Sequence, residues 1–184
     1  MKPDIRAPFF EIWTKNYVYG DLLLEYAKAA DAAAAKYDID VLFIVPAVEI
    51  RRVAENTDRL IVLASYMDVL RPGRGMADIL PEGLKAAGAQ GVVVNHVEKP
   101  MSVPAIKTTI ERARELDFLV FACADTITEA KAIAQFHPDI LNPEPSELIG
   151  GTASGASDLS FVKESIAAIK SIYPDILVEQ AAGI

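Results

Sequence analysis

A single cysteine, Cys123, stands in a chain of 184 residues, which excludes an internal disulfide and any zinc cage built from several thiolates. Such a chain suits a reducing compartment, and the cytoplasm is the expected location. Basic residues are also scarce. Lys and Arg total 18 against 26 Asp and Glu, a formal net charge of −8, which argues against a general attraction to nucleic-acid backbones but leaves room for a local anion site. No run approaches the roughly 20 apolar residues of a membrane span. The opening MKPDIRAPFF has no long apolar stretch behind its basic residues and does not read as a secretory signal. Both the dinucleotide fingerprint G-x-G-x-x-G after the first strand and a P-loop are missing.

What the chain does contain is a regular alternation. Short apolar runs at Phe9 to Trp13, Val41 to Val45, Leu60 to Ala64, from Gly91, Phe118 to Ala122 and Ile176 to Val178 read as strands, with a weaker one at Pro138 to Leu141 interrupted by Pro143. Between them lie helical patterns. Leu23, Tyr26, Ala30, Ala33 and Tyr37 recur on one predicted helix face, with Asp21, Glu25, Lys28 and Lys36 on the other. Ala47 to Glu55 suggests a short surface helix, and Pro81 to Ala87 a helix stopped by Gly88. Ser102 is placed to cap a helix facing inward through Val103, Ile106, Ile110 and Ala113. Thr128 to Phe136 and Leu159 to Ser171 complete the set, the last packing Val162, Ile166 and Ile169. Pro72, Gly73 and Gly75 hold Ser65 to Asp78 as a long loop, and Glu144 to Asp158 is a second, rich in Gly and Ser.

Strand and helix thus alternate about every 25 residues with short connections, an all-parallel α/β pattern within one domain spanning 1–184. A doubly wound open sheet and a (β/α)8 barrel counted to its seventh strand both fit, and the absent fingerprint favours the barrel. The chemically able side chains lie at strand ends: Lys15 after the first, Asn95, His96 and Glu98 after GVVV, Cys123 after the fifth and Glu144 after the sixth. A carboxylate, an imidazole and an amine on separate strand ends can meet only if those ends ring one mouth. His137 beside Pro138 reads as a surface residue, and Cys123 as buried packing.

KNYVYG from Lys15, NHVE from Asn95, ACA around Cys123 and EPSELIGG from Glu144 resemble, in that order and at similar spacing, the triosephosphate isomerase family, its short archaeal-type branch above all. The resemblance runs from Phe9 to the end of the chain. It implies a TIM (β/α)8 barrel, here incomplete with about seven strands, that interconverts glyceraldehyde 3-phosphate and dihydroxyacetone phosphate through an enediol. By motif match it makes Glu144, His96, Lys15 and Glu98 catalytic: Glu144 as the base, His96 as a neutral electrophile, Lys15 as the cation and Glu98 as its pair. Asn95, Gly150, Gly151 and Gly183 are the implied substrate-binding residues. The partners implied are a small phosphorylated sugar and further copies of the chain in a homo-oligomer, with no nucleic acid, membrane, metal or organic cofactor.

Several positions depart from the family pattern. Trp13 stands where an Asn is usual, Met76 and Ala77 replace a Thr-Gly pair, Val97 replaces a Ser, the loop reads IGGT from Ile149, and Pro143 precedes the base. These leave two alternatives open: an isomerase for a four-carbon ketose phosphate, and a non-catalytic fragment that binds phosphate or assembles with other chains.

Overall fold

The sheet is built from runs that are apolar on both faces. Leu60–Ala64 (β3) is buried throughout, as are Gly91–Val94 (β4) and Leu119–Ala124 (β5), the pattern of strands covered by helices on one side and core on the other. The computed structural model describes residues 1–149 and 159–181. Within these, the strands Phe9–Trp13 (β1), Asp40–Val45 (β2), β3, β4, β5, Ile140–Pro143 (β6) and Leu177–Val178 (β7) form one sheet in chain order. Every register described in it is parallel. Helices Gly20–Tyr37 (α1), Ile50–Ala54 (α2), Pro81–Ala86 (α3), Val103–Glu115 (α4), Ile127–Ala134 (α5) and Leu159–Lys170 (α6) fill the crossovers. This is the strand order and alternation of a TIM barrel through its seventh strand.

The molecule divides into two compact units, 1–92 with 111–119, and 93–110 with 120–184. In the first, Leu42, Phe43, Ile44 and Leu63 are fully buried, each worth about 1.5–3 kcal/mol in apolar surface removed from water. β4 opens on Gly91 for a steric reason: a Cβ there would stand 2.6 Å from the Leu119 carbonyl oxygen. α3 ends as anticipated at Gly88, whose φ of +102° suits only glycine. In the second unit, Phe121, Ile133, Leu141 and Ile169 make the core.

Five expectations need correction. The buried stripe of α1 is Leu23, Ala27, Ala30 and Ala34, while Tyr26 and Tyr37 are exposed and Ala33 lies outside the stripe. Alanines let a helix approach close to its neighbours, and a tyrosine keeps its hydroxyl in water. On α4, Ile106, Ile110 and Ala113 are buried as expected but Val103 is exposed at the first turn, where Ser102 Oγ accepts the Ala105 N–H at 3.4 Å. On α6 the buried positions are Ser165 and Ile169, with Val162 and Ile166 only half-buried. Cys123 lies inside β5 rather than beyond it, and β6 runs through Pro143 to the threshold of Glu144.

Candidate active site

The second unit gathers its polar groups where β4, β5 and β6 end. Asn95, the first residue past β4, sits in the left-handed region at φ +62°, a conformation that asparagine tolerates because its short amide can bond locally. Three bonds hold that amide: Nδ2 donates to the Cys123 carbonyl at 3.1 Å and to Glu129 Oε1 at 2.9 Å, and Oδ1 accepts the Met101 N–H at 2.9 Å. Glu129 Oε2 in turn accepts the Asp125 N–H at 2.8 Å. The turn after β4 is therefore pinned to the start of α5, and His96 follows from it in a fixed direction.

His96 is only 4 % exposed. Its Nδ1 accepts the backbone N–H of Glu98 at 3.1 Å, so a proton on Nδ1 would put two hydrogens in that gap. The bond assigns the neutral tautomer with hydrogen on Nε2. That Nε2 stands 3.7 Å from Glu144 Oε2. Glu144 is itself fixed by its main chain, whose N–H donates to the Ala124 carbonyl at 2.8 Å and prolongs the β5–β6 ladder by one residue. Its side chain is 12 % exposed. Asn95, Cys123, Asp125, Glu129 and Glu144 share the lining of a cleft of about 160 Å³.

The structure thus brings together Asn95, His96, Glu98 and Glu144. The Glu98 carboxylate is half exposed and lies 3.7 Å from His96 Nδ1. Lys15 belongs to the first unit, where its backbone is left-handed at φ +46° and its Nζ lies 5.7 Å from the Trp13 ring centroid, a cation–π contact with the aromatic side chain two residues before it. Gly150, Gly151 and Gly183 lie outside the described residues. His137 is exposed as anticipated and stacks on Tyr173, ring centroids 4.4 Å apart.

Sequence reasoning missed Glu129, Asp125 and Asn142. Glu129 stands three residues after Thr126, whose side chain accepts its N–H at 3.1 Å, so the Thr-x-x-Glu spacing is that of an ordinary helix start, while its carboxylate reaches Asn95. Among the described residues no group of three or more His, Cys, Asp or Glu is placed to hold a metal ion. No described helix is long and apolar enough to cross a membrane.

A carboxylate beside a neutral imidazole, both on rigid strand ends, can take a proton from carbon while donating a hydrogen bond to the adjacent carbonyl oxygen. Comparison with known proteins points the same way. The family model described as triosephosphate isomerase matches residues 13–183. The triosephosphate isomerase of Methanocaldococcus jannaschii is 32 % identical over 172 residues, covering 93 % of this chain and 78 % of that protein. That of Methanoculleus marisnigri is 31 % identical over 180 residues, covering 97 % and 81 %. Among solved structures, the crystal structure of triosephosphate isomerase from Bartonella henselae superposes with a TM-score of 0.74 at 19 % identity, over 95 % of this chain and 82 % of that one, and shows the common fold. These findings favour the triose reading over the four-carbon and non-catalytic ones. With matching motifs, fold and relatives, this chain belongs to the triosephosphate isomerase family.

Proposed function

We propose that the chain performs the family's reaction, interconverting glyceraldehyde 3-phosphate and dihydroxyacetone phosphate, with Glu144 moving the carbon-bound proton and His96 polarising the carbonyl. The observation that carries this reading is the 3.7 Å between His96 Nε2 and Glu144 Oε2, together with the Glu98 N–H that leaves the imidazole neutral. In an aldose–ketose isomerisation the acidic carbon and the carbonyl oxygen belong to neighbouring atoms of one small substrate. Two groups this close can serve both at once. As the base removes the proton, negative charge grows on the oxygen, and a neutral N–H donor stabilises it there. Asn95 holds the turn that aims His96.

Lys15 is assigned the substrate's cation by its KNYVYG motif and Gly150 a backbone donor to phosphate by EPSELIGG, with Gly151 and Gly183 as further substrate-binding residues implied by the family. A proton moved between adjacent carbons needs no redox group. A phosphorylated substrate fits the family, and a homo-oligomer in the cytoplasm is the setting proposed.

The test is turnover in heavy water. The purified chain should place solvent deuterium on the substrate carbon, and Glu144→Gln should lower kcat by roughly 10²–10⁴-fold while a glycolate-type phosphate analogue still binds. Absence of deuterium uptake, with Glu144→Gln indistinguishable from the unaltered chain, would overturn the assignment.

A further inference from the structure

β6 is apolar but for one residue. Asn142 sits between Leu141 and Pro143, is 1 % exposed, and pairs in register with Cys123 of β5. Being two residues before Glu144 along an extended backbone, it shares that residue's side of the strand. Its two polar atoms are treated unequally. Nδ2 lies 3.5 Å from Glu144 Oε2, whereas Oδ1, also buried, has no hydrogen-bond partner among the described residues.

The amide cannot be turned round to improve matters. An ionised carboxylate only accepts, so the NH2 end must face Glu144, and the carbonyl end is left in the core. For packing alone a leucine of similar size would do better, since it would leave no buried oxygen unsatisfied. What the amide offers in exchange is therefore at its donor end. There it meets the same oxygen, Oε2, that lies 3.7 Å from His96 Nε2, so that one carboxylate oxygen stands between the amide of β6 and the imidazole beyond β4. A distance of 3.5 Å is long for such a bond, and contacts of this kind tighten when substrate closes the site.

We propose that Asn142 is a positioning residue for Glu144: its buried amide donates to Oε2 and fixes the plane in which the carboxylate faces the cleft. The inference rests on the reading of Glu144 as the base. A hydrogen bond given to the ionised form favours that form, so Asn142 also keeps Glu144 ready to accept a proton. Among the described residues of this unit, the other titratable groups around Glu144 are His96, which faces it, Cys123, Asp125 and Glu129, which line the same cleft, and Glu98 on the far nitrogen of His96. All of these remain when Asn142 alone is changed.

The experiment follows the side-chain carboxyl of Glu144 by carbon NMR in protein labelled at glutamate, the resonance being assigned from its loss in Glu144→Gln. Asn142→Leu should move the titration of that carboxyl up by about one pH unit, a tenfold change in the ionised fraction on the acid limb. The acid limb of kcat/KM should move with it, and the melting temperature should stay level or rise. A purely structural asparagine would give the opposite pair, a lower melting temperature with an unmoved titration, and that result overturns the proposal. If the titration moves and the acid limb does not, the contact stands and Glu144 is not the base. Asn142→Ala removes the same donor without added bulk, and an unmoved Glu144 titration in it overturns the proposal equally.

Discussion

Each unit contains a network of polar side chains, and the two are finished differently. In the first, the Arg112 guanidinium, only 5 % exposed, donates to Glu82 at 2.5 Å, to Glu115 at 3.0 Å and to the Leu70 carbonyl at 3.3 Å, while Arg71 meets Glu115 at 2.8 Å. Cation is matched with anion in number, with only Glu82 Oε2 and Arg112 Nε of this group buried without a hydrogen-bond partner among the described residues, and the Ser65 to Asp78 loop is tied down through Leu70 and Arg71. The Arg112 bond to Glu82 and the Arg71 bond to Glu115 hold both carboxyls below the usual carboxylate range. In the second unit, Asn95 and Glu129 saturate one another and the backbone, but His96 and Glu144 face each other at 3.7 Å without closing into a tight pair. A network meant for stability consumes its charges. One meant for chemistry spends its hydrogen bonds on holding two groups that stay reactive.

That contrast can be broken from either side. Glu129→Ala should act on rate. Without the carboxylate, Asn95 Nδ2 keeps only the Cys123 carbonyl, the left-handed turn loosens and His96 shifts. A displacement of about 1 Å in a catalytic group costs roughly 10²-fold, so kcat should fall on that scale. An unchanged kcat would mean that the Asn95 bonds to Cys123 and Met101 hold the turn without Glu129.

Arg112→Met should act on stability and spare turnover per folded molecule. Removing the cation leaves Glu82 without its guanidinium, while Glu115 keeps Arg71, and the melting temperature should drop by roughly 5 °C. A loss of kcat in the folded variant would erase the distinction between the networks.

The smallest effect belongs to Arg6, which bridges Asp40 at 3.0 Å and Asp38 at 3.2 Å on the exposed side of the first unit. The Arg6 hydrogen bonds hold both carboxyls below their ordinary 3.8. The sign follows. Stability from this bridge is fully present above pH 3.8, where the unfolded carboxyls are already ionised, and is withdrawn as pH falls through the lower folded values. Arg6→Ala should cost about 1–3 °C in melting temperature at neutral pH, with the difference shrinking to nothing in acid. A difference that persists in acid would place the contribution in packing.

The legible parts of the sequence were those governed by local composition. Leu60 to Ala64 and Gly91 to Val94 announced themselves as unbroken apolar strands, and the structure gives β3 the same bounds and starts β4 at the same residue. Asn95 and His96 were found because they follow such a strand, whereas Glu144, behind a weaker one, was found through its EPSELIGG motif. Partnership across the chain was not legible. Nothing in the local sequence singles out Arg112 on α4, since its partners Glu82 and Leu70 lie 30 and 42 residues away. The amide of Asn142 was hidden inside an apolar run, and only coordinates bring it beside Glu144. The tyrosines of α1 misled because hydrophobicity was weighed without size: the helix needed alanines on its buried side.

The backbone of Glu144 belongs to the sheet, through its N–H bond to Ala124, and not to the glycine-rich segment that follows. The carboxylate of Glu144 therefore springs from a main chain that shares the rigidity of the core. Heat should inactivate such an enzyme only as the sheet itself melts, so that residual turnover and native secondary structure decay together.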